Sequence, residues 1–162
     1  CPWCYIGKAH LDRALQDHPD HPFAIEWHPF QLNPDMPREG MDRRSYLERK
    51  FGGKEGAVRA YAPVVEHAEK AGLNINFEAM QRTPNTLDAH RLIHWAGIEG
   101  RQTAAVSALF KAYFVEARGF VKTSIYAGGQ LDAGNRITGP AIVEEPATTI
   151  VVPQGNTLTV TK

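Results

Sequence analysis

The chain has very little sulfur chemistry to draw on: 162 residues hold only two cysteines. Two thiols cannot build a disulfide framework, which excludes the stapled architecture of small secreted domains and leaves redox or metal chemistry. Charge of one sign is also lacking. Lys+Arg and Asp+Glu each total 18, so no global field draws the chain to nucleic acid or to an anionic membrane. Long apolar runs are absent, and nothing approaches the roughly 20 residues of a transmembrane helix. No signal peptide is visible, so the default compartment is the cytoplasm. The first residue is not Met, which suggests an excerpt or a processed chain. The length suits one domain with a self-sufficient core, and 43% hydrophobic against 22% charged residues is ordinary for such a domain.

What is present begins at residue 1. Cys1-Pro2-Trp3-Cys4 places both cysteines two residues apart at the start of a helical pattern. A helix N-terminus favours the thiolate of the first sulfur, and the second waits one turn away to resolve a mixed disulfide. Pro2 suits a first helical turn, where its missing N–H costs nothing. The Pro-Trp dipeptide supplies no histidine charge, so the thiolate gains less support than in a Cys-Pro-His-Cys site; an amino terminus at Cys1 would assist. Zinc is the other use of such a pair, but a structural site takes about four ligands and only His10 is near in sequence.

The helical period runs from Tyr5 to Gln16. Cys4, Leu11, Ala14 and Leu15 share one face, which would turn Cys4 inward and leave Cys1 exposed. His18-Pro19-Asp20-His21-Pro22 ends the helix. Phe23, Ile25 and Trp27 alternate with Ala24 and Glu26 and predict a strand. His28 to Pro37 is a loop. Asp42 to Phe51 and Lys54 to Ala71 predict helices, the second kinked or restarted at Pro63. Leu73, Ile75 and Phe77 form an extended connector. Asn85 as N-cap and Asp88 in the first turn start a helix to about Ala96, and a longer one follows from Arg101 to Ala117 with Val106, Leu109, Phe110, Tyr113 and Phe114 as its apolar stripe. Beyond Gly119 the helical period stops. Ile142-Val143, Thr148 to Val152 and Leu158 to Thr161 predict strands, the last two as a hairpin across Pro153 to Asn156. The change of texture divides the chain into 1–118 and 121–162.

Four blocks carry a family resemblance: Cys1-Pro2-Trp3-Cys4-Tyr5-Ile6-Gly7-Lys8, Pro29-Phe30-Gln31-Leu32-Asn33-Pro34-Asp35, Pro84-Asn85-Thr86-Leu87-Asp88-Ala89-His90-Arg91-Leu92 and Leu109-Phe110-Lys111-Ala112-Tyr113-Phe114. From Cys1 to about Ala117 the chain resembles the FrnE-like branch of the DsbA family of dithiol oxidoreductases. The resemblance implies an α+β thioredoxin fold, with a helical insertion covering most of Pro34 to Leu109. It also implies a strand ahead of the first cysteine and a later strand pair introduced by a cis-proline. Neither block is present, so the expected fold is an incomplete one. Residues 121–162 resemble the C-terminal tail of hydantoinase A/oxoprolinase-type proteins, through Ile137-Thr138-Gly139-Pro140-Ala141-Ile142-Val143-Glu144-Glu145-Pro146 and the segments flanking it. No catalytic residue comes with that tail.

The resemblance implies Cys1 as nucleophile and Cys4 as resolving thiol, with a Cys1–Cys4 redox-active disulfide and no cofactor or metal. Trp3 is expected as an exposed platform for substrate, and Asn85 and His90 as cleft residues of the helical domain. Lys8 is expected as a solvated helix lysine and His28 as a packing residue. His90 and His94 stand at metal-like i, i+4 spacing without an accompanying acid. Glu144 and Glu145, adjacent on a strand, point to opposite faces and are expected in solvent. The expected partners are protein disulfides or small thiols, with no nucleic acid and no membrane, and homo-oligomers are a possible state. Two other readings stay open: a glutathione-dependent isomerase or transferase like 2-hydroxychromene-2-carboxylate isomerase, whose branch carries Ser at the first cysteine, and a non-catalytic fusion whose tail is a β association module.

Overall fold

The computed structural model describes residues 1–117, 124–139, 141–145, 148–152 and 155–161. The chain divides into two compact units, Cys1–Gly119 and Phe120–Lys162. The architecture is α+β, with helices filling the first unit and short strands the second.

The first helix, α1 (Pro2–Asp17), has Cys1 as its N-cap residue and Pro2 in its first turn. It stops at His18, ahead of Pro19, because a residue before proline is driven out of the helical region. Its buried residues are Ile6 and Lys8. Ile6 sits in a cluster with Val64, Ala68 and Ala71, ringed by Ala9, Tyr61, Leu73, Ile75 and Phe77. Burying a side chain of that size stabilises by about 1.5–3 kcal/mol. This contact sets the rotation of α1. Cys4 lies two residues before Ile6, about 200° around the helix, so it faces away from the Ile6 cluster. Both cysteines are exposed, and the inward Cys4 inferred from the Leu11–Ala14–Leu15 face is corrected accordingly.

A two-residue antiparallel pair, β1 (Met41–Asp42) with β2 (Arg82–Thr83), pins the next elements. Gly40 makes that approach possible. Its φ is +73°, and a Cβ there would lie 2.5 Å from the Thr83 carbonyl oxygen. Asp42 then caps α2 (Arg43–Phe51): its Oδ1 accepts from the Ser45 amide at 2.9 Å and from the Ser45 hydroxyl at 2.7 Å. These bonds hold the Asp42 carboxyl below its ordinary pKa. Gly52 and Gly53, both at positive φ, turn the chain into α3 (Lys54–Lys70). Pro63 lies inside α3, which runs on through it with no restart. Leu73, Ile75 and Phe77 are the expected connector and lie against the Ile6 cluster.

The expected strand over Phe23–Trp27 is absent as a strand. Among the described residues no neighbouring strand supplies a ladder, and Phe23 is exposed. The alternation is still real at Ile25 and Trp27, which are half-buried between exposed Ala24, Glu26 and His28. A side chain does the pairing. Gln102 Oε1 accepts from the Trp27 amide at 2.8 Å, and Gln102 Nε2 donates to the Trp27 carbonyl at 2.9 Å. The Trp27 indole N–H donates to the Thr103 hydroxyl at 3.1 Å. Gln102 opens α5 (Gln102–Phe110), which follows α4 (Leu87–Ile98) across Gly100 at φ +68°. The predicted longer helix closes instead in a π-helical turn, Lys111–Val115, which brings Phe114 to 2% exposure. Phe114 stacks on Tyr5 at 5.4 Å and takes the edge of Tyr113 at 4.9 Å.

In the second unit, β3 (Ser124–Ala127) pairs parallel with β5 (Ala141–Glu145), which pairs antiparallel with β6 (Thr148–Val152). β4 (Arg136–Thr138) pairs antiparallel with β7 (Thr157–Thr159), setting Ile137 opposite Leu158. The predicted hairpin therefore forms one strand earlier, between β5 and β6, and β7 takes β4 as its partner. Strand-forming residues do not name their neighbour; the shared core of Ile137, Ala141, Val143 and Val152, with Leu131 and Leu158 packed on it, does. The side chains of Glu144 and Glu145 lie outside the described residues.

Candidate active site

The site is the N-terminal turn of α1. The Cys4 amide donates to the Cys1 carbonyl at 3.1 Å, closing the first turn and setting the two cysteines three residues apart on one helix face. Such positions have Cβ atoms about 5–6 Å apart. A small adjustment reaches the roughly 3.8 Å of a disulfide. Both thiols are free and exposed, so a bulky disulfide can reach them. Trp3, between them, is 45% exposed, and its ring meets the His67 ring of α3 edge-on at 5.3 Å.

Two cations of α2 act on this turn. Arg43 is 9% exposed, and Lys50 is exposed with its ammonium 5.5 Å from the centre of the Tyr46 ring. Both are felt at the Cys1 amino group. Burial of that group lowers its pKa first, the Cys4 thiol works in the opposite sense, and Arg43 and Lys50 lower it further. Sequence reasoning missed both residues. One signal was available: Arg43-Arg44 stand in the first turn of a helix, where the macrodipole disfavours cations.

The other expected residues are placed as follows. His90 is half-buried on α4, hydrogen-bonded to the Phe30 backbone, and close enough to Cys1 to feel its amino group. Burial lowers its pKa, the Phe30 contact opposes this, and the Cys1 amino group adds to the lowering. Asn85 has both ends of its amide in use: Nδ2 donates to the Met36 carbonyl at 2.7 Å and Oδ1 accepts from the Leu87 amide at 2.9 Å. It secures the start of α4 one residue ahead of Thr86, the N-cap position. Lys8 is not solvated. It is 7% exposed and ion-paired with Asp12 one turn on, on the side of α1 opposite Ile6. His28 does not pack. It is exposed and paired with Glu26, since the segment it follows has no sheet to lie on. Among the described residues, no group of three or more His, Cys, Asp or Glu side chains could hold a metal, and no helix is long and apolar enough to cross a membrane.

The DSBA-like thioredoxin domain family matches residues 1–134. The chain belongs to that family. Among curated proteins, this DSBA-like chain is 27% identical over 116 residues to the uncharacterized protein YwbO of Bacillus subtilis (strain 168), covering 72% of this chain and 52% of that one. Among solved structures it is similar to a probable DsbA oxidoreductase from Streptomyces coelicolor, with a TM-score of 0.64 and 29% identity over 74% of this chain and 52% of the other. The DSBA-like chain thus spans about half the length of the proteins it matches. The family match reaches past the helical unit, through Asp132-Ala133-Gly134.

Proposed function

We propose that this chain is a thiol–disulfide oxidoreductase of the FrnE-like kind, working through Cys1 and Cys4. The observation that carries the proposal is the pair of free, exposed cysteines one turn apart at the N-terminus of α1, in a chain of the DSBA-like family. The Cys1 thiolate attacks one sulfur of a substrate disulfide. The substrate S–S bond breaks, and the departing sulfur leaves as a thiolate that takes a proton from water. The Cys4 thiolate then attacks the Cys1 sulfur, the mixed disulfide breaks, and the substrate leaves with both sulfurs reduced. Two electrons have passed from the dithiol to the substrate, and a Cys1–Cys4 disulfide remains. The reverse sequence oxidises a substrate dithiol, and the relative reduction potentials select the direction. No cofactor enters either sequence. A cytoplasmic setting would favour the reducing direction. Trp3 and His90 would flank the sulfurs and meet the substrate; Asn85 would act through the placement of α4.

Disulfide reductase activity with a dithiol reductant tests this reading. Cys1→Ser should abolish turnover, and Cys4→Ser should accumulate a mixed disulfide visible by mass spectrometry. Unchanged activity in Cys1→Ser, or none in the native chain, would overturn it. Turnover of Cys1→Ser with glutathione would instead establish the isomerase or transferase reading.

A further inference from the structure

The guanidinium of Arg43 is buried, yet no carboxylate among the described residues holds it. Its hydrogen-bond partners among the described residues are two phenols: Nη2 donates to Tyr61 Oη at 2.9 Å, and Nη1 to Tyr113 Oη at a longer 3.4 Å. Its central carbon also stands 5.2 Å from the centre of the Tyr61 ring. None of the described ion pairs includes it. The adjacent Asp42 carboxylate is committed to Ser45, and the cations acting on it are Arg44 and Arg82. Burial keeps the Tyr113 phenol protonated, as it pushes that pKa up against the opposing pull of Arg43. Tyr113 therefore supplies a contact without charge. Moving an uncompensated cation out of water costs several kcal/mol. The position worsens the cost, because the first turn of α2 already carries the positive end of a helix dipole.

The two phenols that cage this charge reach the first turns of α1: Tyr61 packs on the Ile6 cluster, and Tyr113 meets Phe114, which stacks on Tyr5. Of the titratable groups around Cys1, Cys4 belongs to α1, Arg43 and Lys50 to α2, His67 (against Trp3) to α3, and His90 to α4. Every ionised group among these except a cysteine thiolate would be positive. Lys50 is solvated, so its field is screened; Arg43 is buried, so its field is not.

We propose that Arg43 is the counter-charge of the Cys1 thiolate, a guanidinium caged by Tyr61 and Tyr113 that makes the anionic sulfur the favoured form at the head of α1. The proposal rests on the oxidoreductase reading for its purpose. Arg43 takes over the role that a histidine between the cysteines would have, and it acts by charge across a gap, so it is a positioning residue for the reactive anion.

The test is the pH profile of iodoacetamide alkylation of Cys1, followed by mass spectrometry, in the full chain carrying Cys4→Ser. With Arg43 present, the midpoint should lie below the 8.5 or so of a free cysteine. Arg43→Met should raise it by about one unit, a roughly tenfold smaller thiolate fraction at pH 6. Arg43→Lys, which keeps the charge, should restore most of the difference. If Arg43→Met does not fold, Tyr61→Phe keeps the ring and frees the guanidinium, and should raise the midpoint by a smaller amount. An unchanged midpoint in Arg43→Met or Tyr61→Phe overturns the proposal, as does an Arg43→Lys profile equal to that of Met. These outcomes are separate from the function: an inactive native chain defeats the oxidoreductase reading, whereas an active one with an Arg43-independent midpoint defeats only this inference.

Discussion

His90 shows how one side chain ties the site to stability. Its pKa is lowered chiefly by burial. The unfolded chain, with an ordinary histidine pKa of about 6.5, therefore takes up the proton first as pH falls. Between that value and the lower folded one, the unfolded state binds more protons, so stability rises with pH through the window. His90 contributes no penalty above the unfolded pKa and a growing one as pH falls through the window. Urea unfolding at pH 7.5 and 5.5 should show a loss on acidification that is smaller in His90→Gln than in the native chain. A loss equal in both would remove His90 from the account. The same scale separates what the sequence revealed from what it hid. Cys1 and Cys4 were legible because a dithiol at i and i+3 needs only the local helix. Arg43 was hidden because its two phenol partners come from α3 and from the π-helical turn, 18 and 70 residues away.

Elements were legible where the period was local and opaque where a partner decided. α1 and α3 follow from apolar spacing between Pro and Gly breaks and α2 from its Asp42 cap, and Pro63 passes inside α3 because burial of Val64 and Ala68 outweighs one lost backbone bond. The Phe23–Trp27 segment had the right alternation and, among the described residues, no sheet to join, and β7 had the right residues and a different neighbour. Gln102 resolves the first case by bracketing Trp27 from the start of α5. Removing that amide leaves a backbone N–H and C=O without partners, at a cost of about 1–3 kcal/mol if they stay dry. Gln102→Ala should therefore lower the urea midpoint of the first unit and speed hydrogen exchange at the Trp27 amide, with amides of α1 less affected. Exchange at Trp27 that matches the native rate would show that the bracket adds no protection.

The whole molecule presents a good deal of apolar surface. Phe30 is 74% exposed and Ile98 70%, with Phe23, Trp95 and Val58 above half. Single exposed apolar side chains are ordinary, but this number predicts self-association. Sedimentation should show a weight-average mass that rises with concentration, and Trp95→Glu with Ile98→Glu should suppress the rise. A monomer at every concentration would contradict this. Association has a second route through Gln102. An extended segment held by a side chain, rather than by a neighbouring strand, depends on one codon. A single base change turns glutamine to glutamate, which keeps an acceptor for the Trp27 amide but sets an oxygen against the Trp27 carbonyl. Such a mutant would leave a backbone edge free to recruit a strand from another molecule, so a silent-looking polymorphism there would surface first as poor solubility during synthesis.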